Sequence, residues 1–255
     1  MTFEVAGDDY NRFMGRYSRP LAAELTTWAQ VSPPQRALDV GCGPGVWTSI
    51  LAERLGAQNV CAIDPSPPFV EACRRLLPGV DVRQGTAADL PYDAGTFDLA
   101  GASLVVHFMP DPVAGLAEMA RVVRPDGRVV ATVWDLAGDR APMAAVWAAL
   151  TELHPDWPGE HGLPGGTAGQ LAGYFNDAGI SDVEETEITV RVPHETFEGW
   201  WEPYTHGVGP IGQALAAQDD ADLERVRDAC FQRLGAGPFE ITAVAYAVRG
   251  RVTAP

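Results

Sequence analysis

From about Val31 to Leu136 short apolar runs alternate with stretches of helical periodicity, the pattern of β-α-β units around a parallel sheet. Arg36–Val40 predicts a first strand that runs into a glycine-rich turn, followed by a helix over Val46–Leu55 closed by Gly56. Asn59–Asp64 predicts a second strand. Ser66 then offers an N-cap oxygen ahead of Pro67, whose missing N–H is harmless at the first helical position, for a helix to about Leu77. Val80–Arg83 and Thr96–Gly101 predict the third and fourth strands. Asp111-Pro112 repeats the cap-and-proline start for a helix through Val123, which Pro125-Asp126-Gly127 stops. Arg128–Trp134 is apolar on both faces, as a central parallel strand should be.

After Asp135 the texture changes. Residues 155–166, PDWPGEHGLPGG, are rich in proline and glycine and predict a loop. Val183–Val192 alternates, with Ile188, Val190 and Val192 on one face and Glu187, Thr189 and Arg191 on the other, predicting a half-exposed edge strand. Asp219–Leu234 predicts an amphipathic helix with Leu223, Val226, Cys230 and Leu234 on one stripe. Phe239–Val248 predicts a last strand, apolar on both faces. No internal repeat appears.

A chain of 255 residues with 46% hydrophobic and 20% charged positions suits one domain carrying a smaller lid. No run of about 18 apolar residues predicts a transmembrane helix. The polar, acidic start MTFEVAGDDYNRF does not read as a secretory signal, so the expected address is cytoplasmic. Cys42, Cys61, Cys73 and Cys230 form no C-x-x-C pair, which speaks against a disulfide framework or a cysteine zinc site. The net charge is −16 and all 18 basic residues are arginine. Nucleic acid and anionic membranes are therefore poor partners, and a Walker lysine or a Schiff base is excluded. Residues 1–135 hold 11 arginines against 16 acidic residues, and the remainder 7 against 18. That imbalance reads as a solvated acidic surface that aids solubility.

The informative stretch is Leu38-Asp39-Val40-Gly41-Cys42-Gly43-Pro44-Gly45. Glycines after a first strand let the backbone approach a ligand closely, because no Cβ intervenes. A dinucleotide fingerprint would place its third glycine at 46, where this chain has Val46. Asp64 ends the second strand, 19 positions past Gly45, where a carboxylate can accept hydrogen bonds from both hydroxyls of a ribose. Helix capping is the competing role for Asp64, but Ser66 already offers it.

Over about residues 31–136 these motifs resemble the class I S-adenosylmethionine-dependent methyltransferases, in particular the small-molecule group of the ubiquinone/menaquinone-biosynthesis type (type 11). The resemblance implies a Rossmann-like three-layer α/β sandwich with a mostly parallel seven-stranded sheet, its last strand antiparallel, plus a helical lid. Residues 1–138 and 236–255, with an edge strand over 181–192, would form the core, and 139–180 and 193–235 the lid. It further implies that Asp39, Gly41, Cys42, Gly43 and Gly45 wrap the methionine part of the cofactor, that Asp64 holds the ribose and that Pro65 lies against adenine. Thr86, Ala87 and Ala88 would meet the adenine edge, with Thr86 where many relatives carry an aspartate. Ser103 and Leu104 would hold the amino group, and His107 would border the methyl. Tyr10, Phe13, Met14 and Tyr17 recur at helical spacing. Phe13 and Met14 are expected to pack on the sheet, while Tyr10 and Arg16 are candidates for the methionine end.

Methyl transfer from a sulfonium needs alignment and excluded water more than acid or metal. Where the acceptor must lose a proton a base helps, and His107 is the best placed candidate, with a buried structural histidine as the competing account. His206 is a second candidate, inside the aromatic stretch Trp200–His206. Of Trp200 and Trp201, one is expected to line a pocket and one to fill the lid's core. Asp135, at the end of the fifth strand, is expected to face the same cleft. His154, His161 and His194 suggest no metal box. The expected ligands are S-adenosylmethionine and a small-molecule methyl acceptor, with O-, N- and C-methylation left open, no metal, and a monomer or homodimer. The rivals are a binding module or cyclase-like enzyme using the same cofactor and, less favoured, a nicotinamide-dependent oxidoreductase.

Overall fold

The computed structural model describes residues 7–253. Seven strands form one sheet in the order β3-β2-β1-β4-β5-β7-β6. These are β1 (Ala37–Val40), β2 (Val60–Asp64), β3 (Asp81–Gln84), β4 (Phe97–Ser103), β5 (Val123–Trp134), β6 (Ser181–His194) and β7 (Phe239–Arg251). The first five run parallel. The last strand, β7, lies antiparallel between β5 and β6. This is the expected Rossmann-like fold. Because β1 feeds crossovers toward β2 on one side and neighbours β4 on the other, a crevice opens above their C-terminal ends, where such sheets bind ligands.

The helices are α1 (Gly7–Tyr10), α2 (Arg16–Trp28), α3 (Val46–Leu55), α4 (Pro67–Leu76), α5 (Pro112–Val122), α6 (Ala144–Leu153), α7 (Gln170–Asp177), α8 (Phe197–Trp201), α9 (Gly209–Ala216) and α10 (Asp220–Leu234). Asp111 caps α5 by accepting from Ala114 N at 2.9 Å, and Asp219 caps α10 from Asp222 N at 2.9 Å. Ser66 does not cap α4 through its side chain. Pro125–Gly127 does not separate helix from strand as expected. It forms an irregularity within β5, with Asp126 at φ 65° and a register shift between Phe97 and Leu99 of β4. The extra residues are absorbed as a bulge.

The lid boundaries also differ. α7 lies on the sheet against α5, β6 and β7, with Leu171 and Phe175 fully buried, so this helix belongs to the core layer. The capping segment is α6 packed on α10, together with α8, α9 and the 3-10 turn Glu202–His206 between them. Its interior is aromatic: Trp200 meets Tyr204 at 4.9 Å and Phe197 meets Phe231 at 5.2 Å between ring centroids. No described helix is long and apolar enough to cross a membrane.

On the crevice side, Trp47 of α3 lies over Gly101 in β4 and donates its Nε1–H to Thr26 Oγ1 at 2.9 Å. A Cβ at Gly101 would run into the buried Trp47 ring and stand 2.8 Å from Val130 Cγ2. Gly101→Ala is therefore expected to overpack this layer by about 3 kcal/mol. Thermal unfolding should show the midpoint lowered by roughly 6–12 °C. An unchanged midpoint would mean that Trp47 has room to move.

Candidate functional site

The loop after β1 hangs from the end of β2. Gly41 N and Cys42 N both donate to Ile63 O, at 2.7 and 3.1 Å, and Gly43 N donates to Asp64 Oδ2 at 2.8 Å. Asp64 Oδ1 accepts from Ser66 N at 2.8 Å. Each carboxylate oxygen thus holds one backbone N–H and keeps a lone pair for a ligand. Gly41 adopts φ 74°, and a Cβ there would lie 2.5 Å from Val105 Cγ2. Gly43 adopts φ 54°, and a Cβ there would meet nothing within 4 Å, so this bare bend borders open space.

That space is a cavity of about 410 Å³, within the range of small-molecule sites. One end is formed by Gly41, Gly43, Asp64, Pro65 and Thr86–Ala88, and the middle by Ser103, Leu104 and His107. The far end is formed by Trp134 and Leu136 after β5, with Met143, Glu160 and Val208–Ile211 from the capping segment. Asp64 and Trp134 end strands three spacings apart, or about 14 Å, so the cavity is elongated along the sheet edge. Leu104 is held at φ 63° by two bonds from its N–H, to Thr132 O at 2.9 Å and Thr132 Oγ1 at 3.2 Å. A smaller recess, bordered by Asp39, Cys42 and Tyr10, adjoins the glycine loop.

Residues 38–131 match a family model described as a methyltransferase domain. The chain is 32% identical to nocamycin O-methyltransferase from Saccharothrix syringae over 99% of this chain and 98% of that protein. The chain belongs to the class I S-adenosylmethionine-dependent methyltransferases. Among solved structures, the [4+2]-cyclase SpnF superposes with TM-score 0.57 at 21% identity, covering 92% of this chain and 82% of that one. Geranyl diphosphate C-methyltransferase from Streptomyces coelicolor A3(2) superposes with TM-score 0.55 at 16% identity, covering 93% and 80%. These two likenesses concern the fold.

The methyltransferase brings most of the expected cofactor residues to one surface, and moves several others away. Gly45 does not line the cavity. At φ 100° it starts α3, and a Cβ there would lie 3.0 Å from Cys73 Sγ, so its role is the close approach of α3 and α4. Arg16 turns toward β6 and α8, where its guanidinium lies 3.2 Å from His194 Nδ1 and donates to Gly199 O at 3.2 Å. Phe13 and Met14, expected to pack on the sheet, line the cavity with Tyr10. They occupy a π turn, Asn11–Gly15, whose extra residue shifts the inward face of the helix.

His206 does not reach the cavity. Its Nδ1 lies 3.0 Å from Asp9 Oδ1, which ties the capping segment to the N-terminal helix, and its Nε2 lies 2.8 Å from Glu202 Oε1 within its own turn. Asp135 does not face the cleft either. It is buried, pairs with Arg140 and accepts from Gly138 N at 2.9 Å. Trp200 and Trp201 are both core residues, buried in the aromatic cluster.

Burial governs the electrostatics. Asp39, fully enclosed and accepting from Thr48 Oγ1 at 2.6 Å, has its carboxyl raised to about 7, chiefly by burial, with the Asp64 charge adding to the shift. Burial likewise raises Asp64, against the pull of the Ser66 and Gly43 N–H groups. Burial and the nearby Asp64 charge raise the Tyr10 phenol. No arginine lines the cavity among the described residues, whereas Asp64, Asp111 and Glu160 do.

His107 lines the middle of the cavity with its ring centroid 4.0 Å from that of Phe108, and among the described residues its Nδ1 has no hydrogen-bond partner. Burial lowers its pKa to about 3. The expectation of an imidazole titrating near neutrality therefore fails. Burial thus favours the neutral ring at pH 7. Sequence reasoning missed Glu160, Met143 and Val208–Ile211, which lie in or next to loops and carry no periodic signal.

Because the His107 pKa is lower folded than unfolded, its neutral form contributes stability above about pH 6.5 that is lost as pH falls toward 3. The contribution is at most roughly 5 kcal/mol. Denaturant unfolding across this range should show His107→Asn losing less stability on acidification than the parent. Parallel curves would mean that the ring is solvated.

Proposed function

We propose that the cavity seats S-adenosylmethionine along the sheet edge and that the acceptor is a small, largely apolar compound methylated on oxygen. The ribose is assigned to Asp64, the adenine to Pro65 and Thr86–Ala88, and the methionine end to the recess beside Asp39, Cys42 and Tyr10. Ser103, Leu104 and His107 then border the methyl. The observation that carries this reading is a carboxylate with two backbone N–H anchors facing a cavity rimmed by a bare glycine bend and, among the described residues, by no arginine. A sulfonium with an ammonium is favoured by the Asp64 carboxylate at the rim and by Asp39 beneath the loop, whereas a pyrophosphate would face the charge of Asp64.

When bound, S-adenosylmethionine supplies a methyl group on a positively charged sulfur. The chain's own part is alignment and dryness. Asp64 accepts from the ribose hydroxyls and fixes the long axis of the ligand. Leu104, locked at φ 63°, and the ring of His107 set the floor where the two ligands meet. Phe13, Met14, Met143 and Ile211 close over that floor and exclude water. Oxygen as the acceptor atom is supported by the O-methyltransferase relative, which matches this chain over nearly its full length.

S-adenosylhomocysteine at 100 times its dissociation constant should add roughly 2.7 kcal/mol and raise the melting midpoint by roughly 5–11 °C. No shift would remove the reading. Asp64→Ala should weaken the same ligand roughly tenfold to a hundredfold in calorimetry, as expected for a lost charged hydrogen bond. Equal affinity would remove the ribose assignment.

A further inference from the structure

The far end of the cavity carries one charged side chain whose presence the fold does not require. Glu160 comes from the loop between α6 and α7, is 5% exposed and lines the cavity. Its Oε2 accepts from Trp147 Nε1 at 2.6 Å, and among the described residues no hydrogen bond reaches Oε1. A glutamine would satisfy the indole equally well, so Trp147 alone does not call for a carboxylate. Around it the lining is Leu136, Met143, Val208 and Ile211. With Oε2 held by the indole, Oε1 is the oxygen left to accept from a donor that enters the cavity.

The loop is held as a built site. Leu136 N and Ala137 N donate to Gly166 O at 3.1 and 3.0 Å, and His161, next to Glu160, lies 2.7 Å from Asp139. The loop that carries Glu160 is thus docked on the residues that follow β5, whereas Asp64 ends β2, with β1 and β4 between those two strands.

We propose that Glu160 recognises the acceptor, taking at Oε1 a hydrogen bond from a hydroxyl on an otherwise apolar molecule. This rests on the function proposed above and names the polar group that the acceptor must carry. Burial raises the Glu160 carboxyl, while the Trp147 bond and neighbouring His161 oppose the shift. In either protonation state the group retains an oxygen able to accept. The apolar wall selects the body of the acceptor and Glu160 its orientation, as expected where a few polar groups sit in an apolar site.

The test uses the full chain saturated with S-adenosylhomocysteine and three probes of one shape: 2-naphthol, 2-methylnaphthalene and 2-naphthylamine, which place a hydroxyl, a methyl or an amine at the same position. Calorimetry gives the affinity ratio of naphthol to methylnaphthalene. In Glu160→Gln the amide oxygen stays on Trp147 and its NH2 faces the cavity. That ratio should then fall, because the NH2 cannot accept the naphthol proton although it can donate to the naphthol oxygen, with S-adenosylhomocysteine affinity unchanged. Glu160→Leu, which leaves neither acceptor nor donor, should lower it roughly tenfold to a hundredfold. Binding of neither probe to the parent, a ratio unmoved by both variants, or an amine bound more tightly than the naphthol overturns the proposal. Failure of S-adenosylhomocysteine to bind the parent strikes the cofactor reading instead, so the two failures are distinguishable.

Discussion

The site depends on the suspension of the β1–α3 loop from the end of β2. Three successive N–H groups, of Gly41, Cys42 and Gly43, are taken up by Ile63 O and by the Asp64 carboxylate. That arrangement bends the chain through two glycines with positive φ and leaves the outer side of Gly43 bare. The same carboxylate that fixes the loop faces the cavity, so loop shape and ligand recognition rest on one side chain. A longer side chain on either glycine would close the gap or push against Val105.

Around that anchor the cavity has two chemically different ends. The end over β1, β2 and β3 is built from backbone and a carboxylate, with a second carboxylate, Asp39, raised by burial just beneath the loop. The end beyond β5 is built from apolar side chains drawn from segments far apart in sequence, with Glu160 set among them. Parallel strands ending in a row make this possible, because each strand delivers its following loop to the same edge. The aromatic cluster of the capping segment supports the roof. Tyr204 packs on Phe13 at 4.9 Å and donates to Pro142 O at 3.1 Å, tying the N-terminal helix to the lid.

The cofactor half was legible because its signals are local. A strand, a glycine bend and a carboxylate closing the next strand lie in fixed sequence order, and their spacing alone brings Gly43 and Asp64 within hydrogen-bond reach. Elsewhere the same reading failed where direction mattered. Arg16 has the charge expected of a carboxylate clamp, yet the helix turns it toward His194. His206 and Asp135 have side chains suited to catalysis, but contacts with Asp9 and Glu202 occupy the one and Arg140 and Gly138 the other. Periodicity placed Phe13 and Met14 on an inward face, but a π turn decided that this face looks into the cavity.

By itself, the sequence determined the succession of strands and helices in the first half, the proline helix starts with the Asp111 cap, the two-sided burial of the central strands and the glycine bend, all consequences of backbone conformation over a few residues. Only the tertiary structure decided which polar groups meet ligand and which are consumed by partners. The His107 ring loses its proton affinity through burial by residues that no spacing connects to it. Glu160, in a loop without periodicity, gains its place because Trp147 and the turn at Gly166 hold it over the end of β5. Desolvation and pairing are properties of the assembled surroundings, and those exist only once the chain has closed on itself.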